Sequence, residues 1–122
     1  MTSGFFAGDE ALRDQATNER LHEQQSPIAL LIRIILVSSR INDTVLDPFA
    51  GTGTTAIVAK QLGRKSIVME NSKKNCDLIK TRLELRRKID DVERYRDYYR
   101  YTENLDEIWK TNGKITSLTR YL

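Results

Sequence analysis

Cysteine, histidine, proline and glycine are all scarce in this 122-residue chain, and each scarcity excludes a class of protein. The single cysteine, Cys76, cannot form a disulfide within the chain, and one cysteine with one histidine cannot supply a metal-ligand set. We therefore predict no metal site and a reducing environment. Only 6 glycines and 2 prolines argue against a fibrous or disordered chain.

Long apolar runs are also missing. The longest apolar stretch, residues 28–37, is interrupted by Arg33 and has about half of the ~20 residues needed to cross a bilayer. Residues 1–7 contain neither the basic nor the apolar segment of a secretion signal. These absences predict a cytoplasmic protein with no membrane partner.

The excess of basic residues is small. A net charge of +3 fits a nucleic-acid partner but is also common in proteins that bind none, so charge alone decides little. With 39% hydrophobic and 30% charged residues, the composition is that of one small soluble domain. A chain of this size buries roughly two thirds of its unfolded surface, which predicts a modest core.

Local start and stop signals divide the chain into helices and strands. Ser26 and Pro27 predict a helix start, and the apolar residues that follow cover nearly every face, so this helix needs to be surrounded. Gly63 predicts a helix end and Ser72 predicts another helix start. The predicted elements are a helix over residues 27–38, a strand over 44–47, a helix over 54–62, a strand over 65–69 and a helix over 72–101.

This order of elements is typical of an α/β protein that contains a βαβ unit. We interpret residues 1–21 as an N-terminal arm because they are polar and without sustained periodicity. Residues 22–101 are the predicted cofactor-binding region, and residues 102–122 are the predicted C-terminal tail. Within that tail, Trp109 is predicted to be a packing anchor rather than a base-stacking residue.

Residues 47–55, Asp-Pro-Phe-Ala-Gly-Thr-Gly-Thr-Thr, lie where the first strand passes into a helix, and we call them the Gly-rich loop. Its glycines allow a tight turn and a close approach of the backbone to a ligand. Glu70 ends the next strand, where an acid in such a unit can accept hydrogen bonds from both ribose hydroxyls. Together they predict a nucleotide-type site.

Three ligand classes compete for this loop. A P-loop needs Gly-Lys-Ser/Thr at the helix start, but Thr54 and Thr55 follow Gly53, so a nucleoside triphosphate is disfavoured. A dinucleotide stays open, although Asp47 places a carboxylate where pyrophosphate would approach. A cationic cofactor without phosphate suits that carboxylate better, and S-adenosylmethionine is such a cofactor.

The Gly-rich loop closely resembles the D-P-F-x-G-[ST]-G-T-T motif of the DNA adenine and cytosine amino-methyltransferases. Residues 22–27, His-Glu-Gln-Gln-Ser-Pro, resemble a degraded form of that family's H-P-x-Q-K-P segment, with His22, Gln25 and Pro27 matching. Residues 62–65 and 70–71 resemble the stretch around its ribose-binding acid. The resemblance covers about residues 20–85, in the order of the class whose cofactor motif lies at the C-terminal end.

The resemblance implies a partial Rossmann-like methyltransferase fold with S-adenosylmethionine as cofactor. It implies that the loop backbone and Phe49 cradle the cofactor, that Glu70 binds its ribose, and that Asp47 and Gln25 face its methionine group. The implied cofactor-binding residues are Gln25, Asp47, Phe49, Gly51, Thr52, Gly53, Thr54, Thr55 and Glu70.

The family's catalytic motif, [DNS]-P-P-[YFW], has no counterpart here, because the chain has prolines only at positions 27 and 48. In this family the motif holds the target amino group and stacks on the flipped base. No catalytic residue is therefore predicted, and alone the chain should not methylate DNA. Two short strands also form an unstable sheet with an open edge.

These two gaps predict that the fold is completed by a second polypeptide carrying the catalytic motif and the target-recognition region, with DNA bound through the assembly. A homodimer is also possible. The alternative hypothesis is an inactive remnant that serves as an interaction or dimerisation module. Residues 94–101 interleave arginine with tyrosine, but nearby acids largely cancel their charge, which favours a solvated or partner-facing helix over DNA contact.

Overall fold

The computed structural model describes Leu12 and residues 27–110 of the chain. The predicted N-terminal arm, apart from Leu12, and residues 111–122 lie outside the described residues. In chain order the elements are α1 (Ile28–Ser38), β1 (Thr44–Asp47), α2 (Thr54–Gln61), β2 (Lys65–Val68), α3 (Lys73–Glu84), 3₁₀-helices at Lys88–Asp90 and Val92–Tyr99, and α4 (Leu105–Ile108). None of the helices in this described part is long and apolar enough to span a membrane.

The centre of the fold is a β1–α2–β2 unit with two parallel strands. Thr44 is the register partner of Lys65, and the pairing continues to Asp47 opposite Val68. Between them α2 ends at Gln61, and Gly63 follows the C-cap residue Leu62 with a φ of +80°, in the left-handed region that glycine adopts without strain. The predicted βαβ unit is thus confirmed, and the chain has a partial Rossmann-like α/β fold.

Helix α1 begins one residue later than predicted. Pro27 has an extended ψ of 140° and is the N-cap residue, so the first helical residue is Ile28. The carbonyl of Pro27 accepts the first helical hydrogen bond, from the amide of Leu31. The predicted N-cap, Ser26, lies outside the described residues.

One face of α1 is buried and the opposite face is open within the described part of the chain. Ile28, Ile32 and Ile35 are fully buried against the core, whereas Ile34 and Val37 are exposed. The sequence predicts that this helix has to be surrounded, yet the described residues cover only one of its sides. A second apolar face therefore remains for another surface to cover.

The hydrophobic core lies between α1, α2 and the segment that follows α3. Trp109 is completely buried, and its indole Nε1 donates to Glu93 at 3.1 Å, so the predicted packing role of this residue is confirmed. Trp109 belongs to the predicted C-terminal tail, so residues near 109 pack into the main core. The buried members of the core are Ile28, Ile32, Ile35, Leu36, Val58, Ala59, Leu62, Val92, Tyr95 and Trp109.

The helix predicted over residues 72–101 is wrong in its second half. Its start at Ser72 is confirmed, because the Ser72 hydroxyl accepts from the amide of Asn75 at 3.3 Å. It ends at Glu84, and the chain then folds back so that Asp90 reaches Arg82 and Tyr95 reaches the core. Burial of these side chains outweighs the local helical preference on which the prediction depended.

Candidate functional site

The Gly-rich loop follows the carboxyl end of β1 and is organised by Asp47. One carboxylate oxygen of Asp47 accepts from the backbone amide of Phe49 at 3.1 Å. The other accepts from the Thr55 hydroxyl at 2.6 Å, which ties the end of the strand to the first turn of α2. Asp47 is only half-buried, and a carboxylate has room for further hydrogen bonds, so it can still face a cationic ligand.

Two glycines give this loop its shape. Gly51 has a φ of 57° and Gly53 a φ of 83°, both in the left-handed region. A Cβ at Gly53 would lie 2.7 Å from Cγ1 of Ile79 on α3, so there is no room for a side chain. The backbone at Gly53 is packed directly on α3, and this contact fixes the position of the loop.

Glu70 follows β2 and lies beside the Gly-rich loop. Its carboxylate accepts from the backbone amide of Ser72 at 3.0 Å. That hydrogen bond, assisted by the amides of Gly51 and Asn71, outweighs desolvation and lowers the pKa of Glu70 below its usual value. Glu70 therefore stays ionised as a strong acceptor. The amide of Ala50 donates to the carbonyl of Met69 at 3.0 Å, which places the Gly-rich loop beside the residue that precedes Glu70.

The threonines of the loop point in two directions that the sequence does not reveal. Thr52 and Thr54 are buried, and Arg82 donates to the Thr52 carbonyl at 3.2 Å and to the Thr54 hydroxyl at 2.8 Å. Thr55 is bound to Asp47. Phe49, by contrast, has a side chain that is 90% exposed.

The structure brings together most of the residues predicted for the site. The Gly-rich loop and Glu70 follow the carboxyl ends of the two parallel strands, and the hydrogen bond from Ala50 to Met69 joins these two segments. This edge is the usual place for ligands in open α/β sheets. Gln25 and His22 lie outside the described residues. Sequence reasoning missed Arg82 and Asp90. The available signal was an arginine three positions after Ile79, on the same helix face as that apolar residue.

A family described as DNA methylase matches residues 6–81, which is more than half of the chain. The chain belongs to this DNA methylase family. The matched region contains α1, the β1–α2–β2 unit, the Gly-rich loop and Glu70, so family membership rests on the same residues as the site geometry.

The curated relatives that match this chain are considerably longer than it is. Type II methyltransferase M.HinfI of Haemophilus influenzae is 45% identical over 87 residues, which are 70% of this chain and 24% of that protein. Type II methyltransferase M2.LlaDCHI of Lactococcus lactis subsp. cremoris is 50% identical over 62 residues, or 51% of this chain and 23% of that protein. The chain thus spans about a quarter of the length of these curated relatives.

The fold is also similar to a solved structure. The crystal structure of the M1.HpyAVI–SAM complex matches with a TM-score of 0.52 and 39% identity, over 57% of this chain and 34% of that one. This match supports the partial Rossmann-like methyltransferase architecture of the DNA methylase region described above.

Proposed function

We propose that this chain is the S-adenosylmethionine-binding part of a site-specific DNA amino-methyltransferase. The observation that carries the proposal is the hydrogen bond from the Ala50 amide to the Met69 carbonyl at 3.0 Å, which brings the Gly-rich loop next to Glu70. A nucleoside cofactor needs an acceptor for its ribose hydroxyls and a nearby backbone that it can approach closely. The likeness to M1.HpyAVI, solved as a SAM complex, supports the choice of cofactor.

The charges of the site favour a cationic cofactor over a phosphate. Asp47 and Glu70 both lie at the loop, and the lowered pKa of Glu70 keeps that carboxylate negative. Pyrophosphate would be repelled there, whereas the sulfonium and amino groups of S-adenosylmethionine would be attracted. The chain's residues fit this cofactor, which supplies an activated methyl group when it is bound.

In this proposal each residue binds or orients rather than reacts. Glu70 accepts from the ribose hydroxyls, the backbone around Gly51 and Gly53 lies against the cofactor, and exposed Phe49 covers it. Asp47 holds the loop through Phe49 and Thr55. We propose that it also faces the methionine end, a role that the family resemblance assigns to Gln25 as well. No residue of the chain is assigned to hold the target amine.

We further propose that a second polypeptide supplies the catalytic Pro-Pro-aromatic motif and the target-recognition region. The proposal is supported by the pairing of β1 with β2 alone within the described residues, which leaves the other edge of β1 open. Leu46 and Ile67, register partners on one face of the sheet, are 59% and 54% exposed. A covering strand and helix would bury both the edge and this face.

Titration calorimetry with S-adenosylmethionine tests the cofactor role. Glu70→Ala removes the charged acceptor for the ribose, so we expect binding at least about tenfold weaker than in the unmodified chain. Glu84→Ala, an exposed glutamate at the far end of α3, should leave the affinity unchanged.

Equal affinity of Glu70→Ala and the unmodified chain would exclude the ribose-binding role. No binding by the unmodified chain, alone or with its partner, would favour the alternative function of an inactive interaction module. The exposed apolar faces of α1 and the sheet would serve that alternative equally well.

A further inference from the structure

Helix α3 contacts the Gly-rich loop at two positions on one helix face. Ile79 packs against the α-carbon side of Gly53, where a Cβ would meet its side chain at 2.7 Å. One turn later, Arg82 donates from Nη1 to the carbonyl of Thr52 and to the hydroxyl of Thr54. Three consecutive loop residues therefore lie on a single helix turn.

The guanidinium of Arg82 is almost completely buried and is held in a fixed orientation by Asp90. Its Nε donates to one carboxylate oxygen at 3.2 Å and its Nη2 to the other at 2.9 Å. Both side chains are buried, with exposures of 2% and 0%. This two-point pairing fixes the plane of the guanidinium, so that Nη1 points at the loop.

Asp90 is itself anchored to the rest of the fold. Arg87 donates to both of its carboxylate oxygens, at 2.9 and 2.8 Å. Its backbone carbonyl accepts from the side-chain amide of Gln61 on α2 at 2.7 Å, and the Gln61 oxygen accepts from the amide of Val92 at 3.1 Å. The arginine therefore connects the loop to a rigid support that includes both α2 and the segment after α3.

We propose that Arg82 is a positioning residue that holds the Gly-rich loop in the conformation that binds the cofactor. The consequence for affinity rests on the proposed function. A loop released by loss of Arg82 populates other backbone conformations, and the apparent dissociation constant rises in inverse proportion to the competent fraction. Arg82 thereby sets cofactor affinity without touching the cofactor.

Arg82→Lys is the main test, because lysine keeps the positive charge beside Asp90 but cannot hold carboxylate and loop at once. We expect S-adenosylmethionine to bind at least about fivefold more weakly. Hydrogen exchange should quicken at the loop amides of Ala50 and Gly53, which are hydrogen-bonded in the native loop. Exchange at the strand-pairing amides of Lys65 and Met69 should change much less.

Thr54→Val tests the contact if Arg82→Lys does not fold. Valine has the shape of threonine but no acceptor for Nη1, and it leaves the pairing of Arg82 with Asp90 in place. We expect faster loop exchange and weaker binding, with both restored in Thr54→Ser. A variant with merely lower stability would show neither the selective loop exchange nor the rescue by serine.

Arg87→Ala is the matched control, because it removes a partner of Asp90 but keeps Arg82 and Thr54. It should lower the unfolding temperature and change the affinity by less than about twofold. Unchanged affinity and loop exchange in folded Arg82→Lys would overturn the proposal. If the unmodified chain binds no cofactor, alone or with its partner, the proposed function fails, and loop exchange in the variants still decides whether Arg82 holds the loop.

Discussion

Gly53 combines a backbone conformation and a packing contact that both exclude a side chain. Its φ of +83° is strained for any other residue, and an added Cβ would meet Ile79 at 2.7 Å. We expect Gly53→Ala to lower the free energy of unfolding by ~1–3 kcal/mol, measured by urea denaturation.

Ile79→Ala provides the control for this prediction. It removes the atoms that clash with the new Cβ but leaves the strained φ. Gly53→Ala should therefore lower the free energy of unfolding by less in an Ile79→Ala background than in the unmodified chain. An equal loss of unfolding free energy in the two backgrounds would mean that backbone strain acts alone and that contact with α3 does not exclude a side chain at Gly53.

Asp90 makes the fold sensitive to acid. Burial alone would raise the pKa of Asp90, but the hydrogen bonds and charges of Arg87 and Arg82 outweigh burial and hold the pKa below its ordinary value. The unfolded chain therefore takes up this proton first as the pH falls. The contribution of ionised Asp90 to the stability of the folded chain is complete at neutral pH and should be lost progressively below about pH 4.

Unfolding measured between about pH 7 and pH 2.5 tests this dependence. Arg87→Ala removes one cause of the lowered pKa, so its stability should be lower at neutral pH and should fall less on acidification. Asp97→Asn, at an exposed aspartate, should keep the acid dependence of the unmodified chain. Identical profiles for Arg87→Ala and the unmodified chain would contradict the role of Asp90.

Among single elements, β1 carries the strongest requirement for another surface. Val45 packs on the core, so Leu46, the next residue of the strand, points to the opposite face beside its partner Ile67. We expect Leu46→Lys to prevent association with the second polypeptide while changing the stability of the free chain little, because Leu46 is largely exposed there.

Size-exclusion chromatography with light scattering measures this association. Leu85→Lys is the matched control, since Leu85 is an exposed leucine beyond the end of α3 and away from the sheet. Association that persists in Leu46→Lys would exclude this sheet face as the interface. A stable monomer in which residues 113–122 cover β1 would remove the structural reason for a partner.

Helix α3 illustrates how an element end can depend on distant contacts. Its start has a local signal, the Ser72 cap, and the sequence predicts it correctly. Its end has no local signal, because residues 85–101 carry a helical pattern of charges and apolar side chains. The helix stops where Arg82 can reach both Asp90 and the loop, and only the folded chain defines that place.

At the scale of the whole molecule, the proposed division of roles rests on the absence of a Pro-Pro dipeptide from these 122 residues. We therefore expect the purified chain to transfer no tritiated methyl group to DNA above background. Adding a second polypeptide with a Pro-Pro-aromatic motif should produce transfer, and Glu70→Ala should reduce that transfer at limiting cofactor. Clear turnover by the rigorously purified chain alone would contradict this division of roles.

The sequence by itself determined the β1–α2–β2 unit, the position of the Gly-rich loop and the place of Glu70. These features depend on short-range chemistry. Glycines permit left-handed backbone, a β-branched run favours a strand, and the end of a parallel strand places an acid beside the neighbouring loop. Family membership rests on the same local motifs.

Only the tertiary structure decided which loop side chains point inward and what holds them. Arg82 is 30 residues from Thr52 and 28 from Thr54, and no local pattern joins residues so far apart. The same applies to Trp109, which enters the core from a segment that looks like a tail. Such contacts form because burying an arginine requires fixed acceptors, and burying an indole requires an apolar pocket with an acceptor for its N–H, here Glu93.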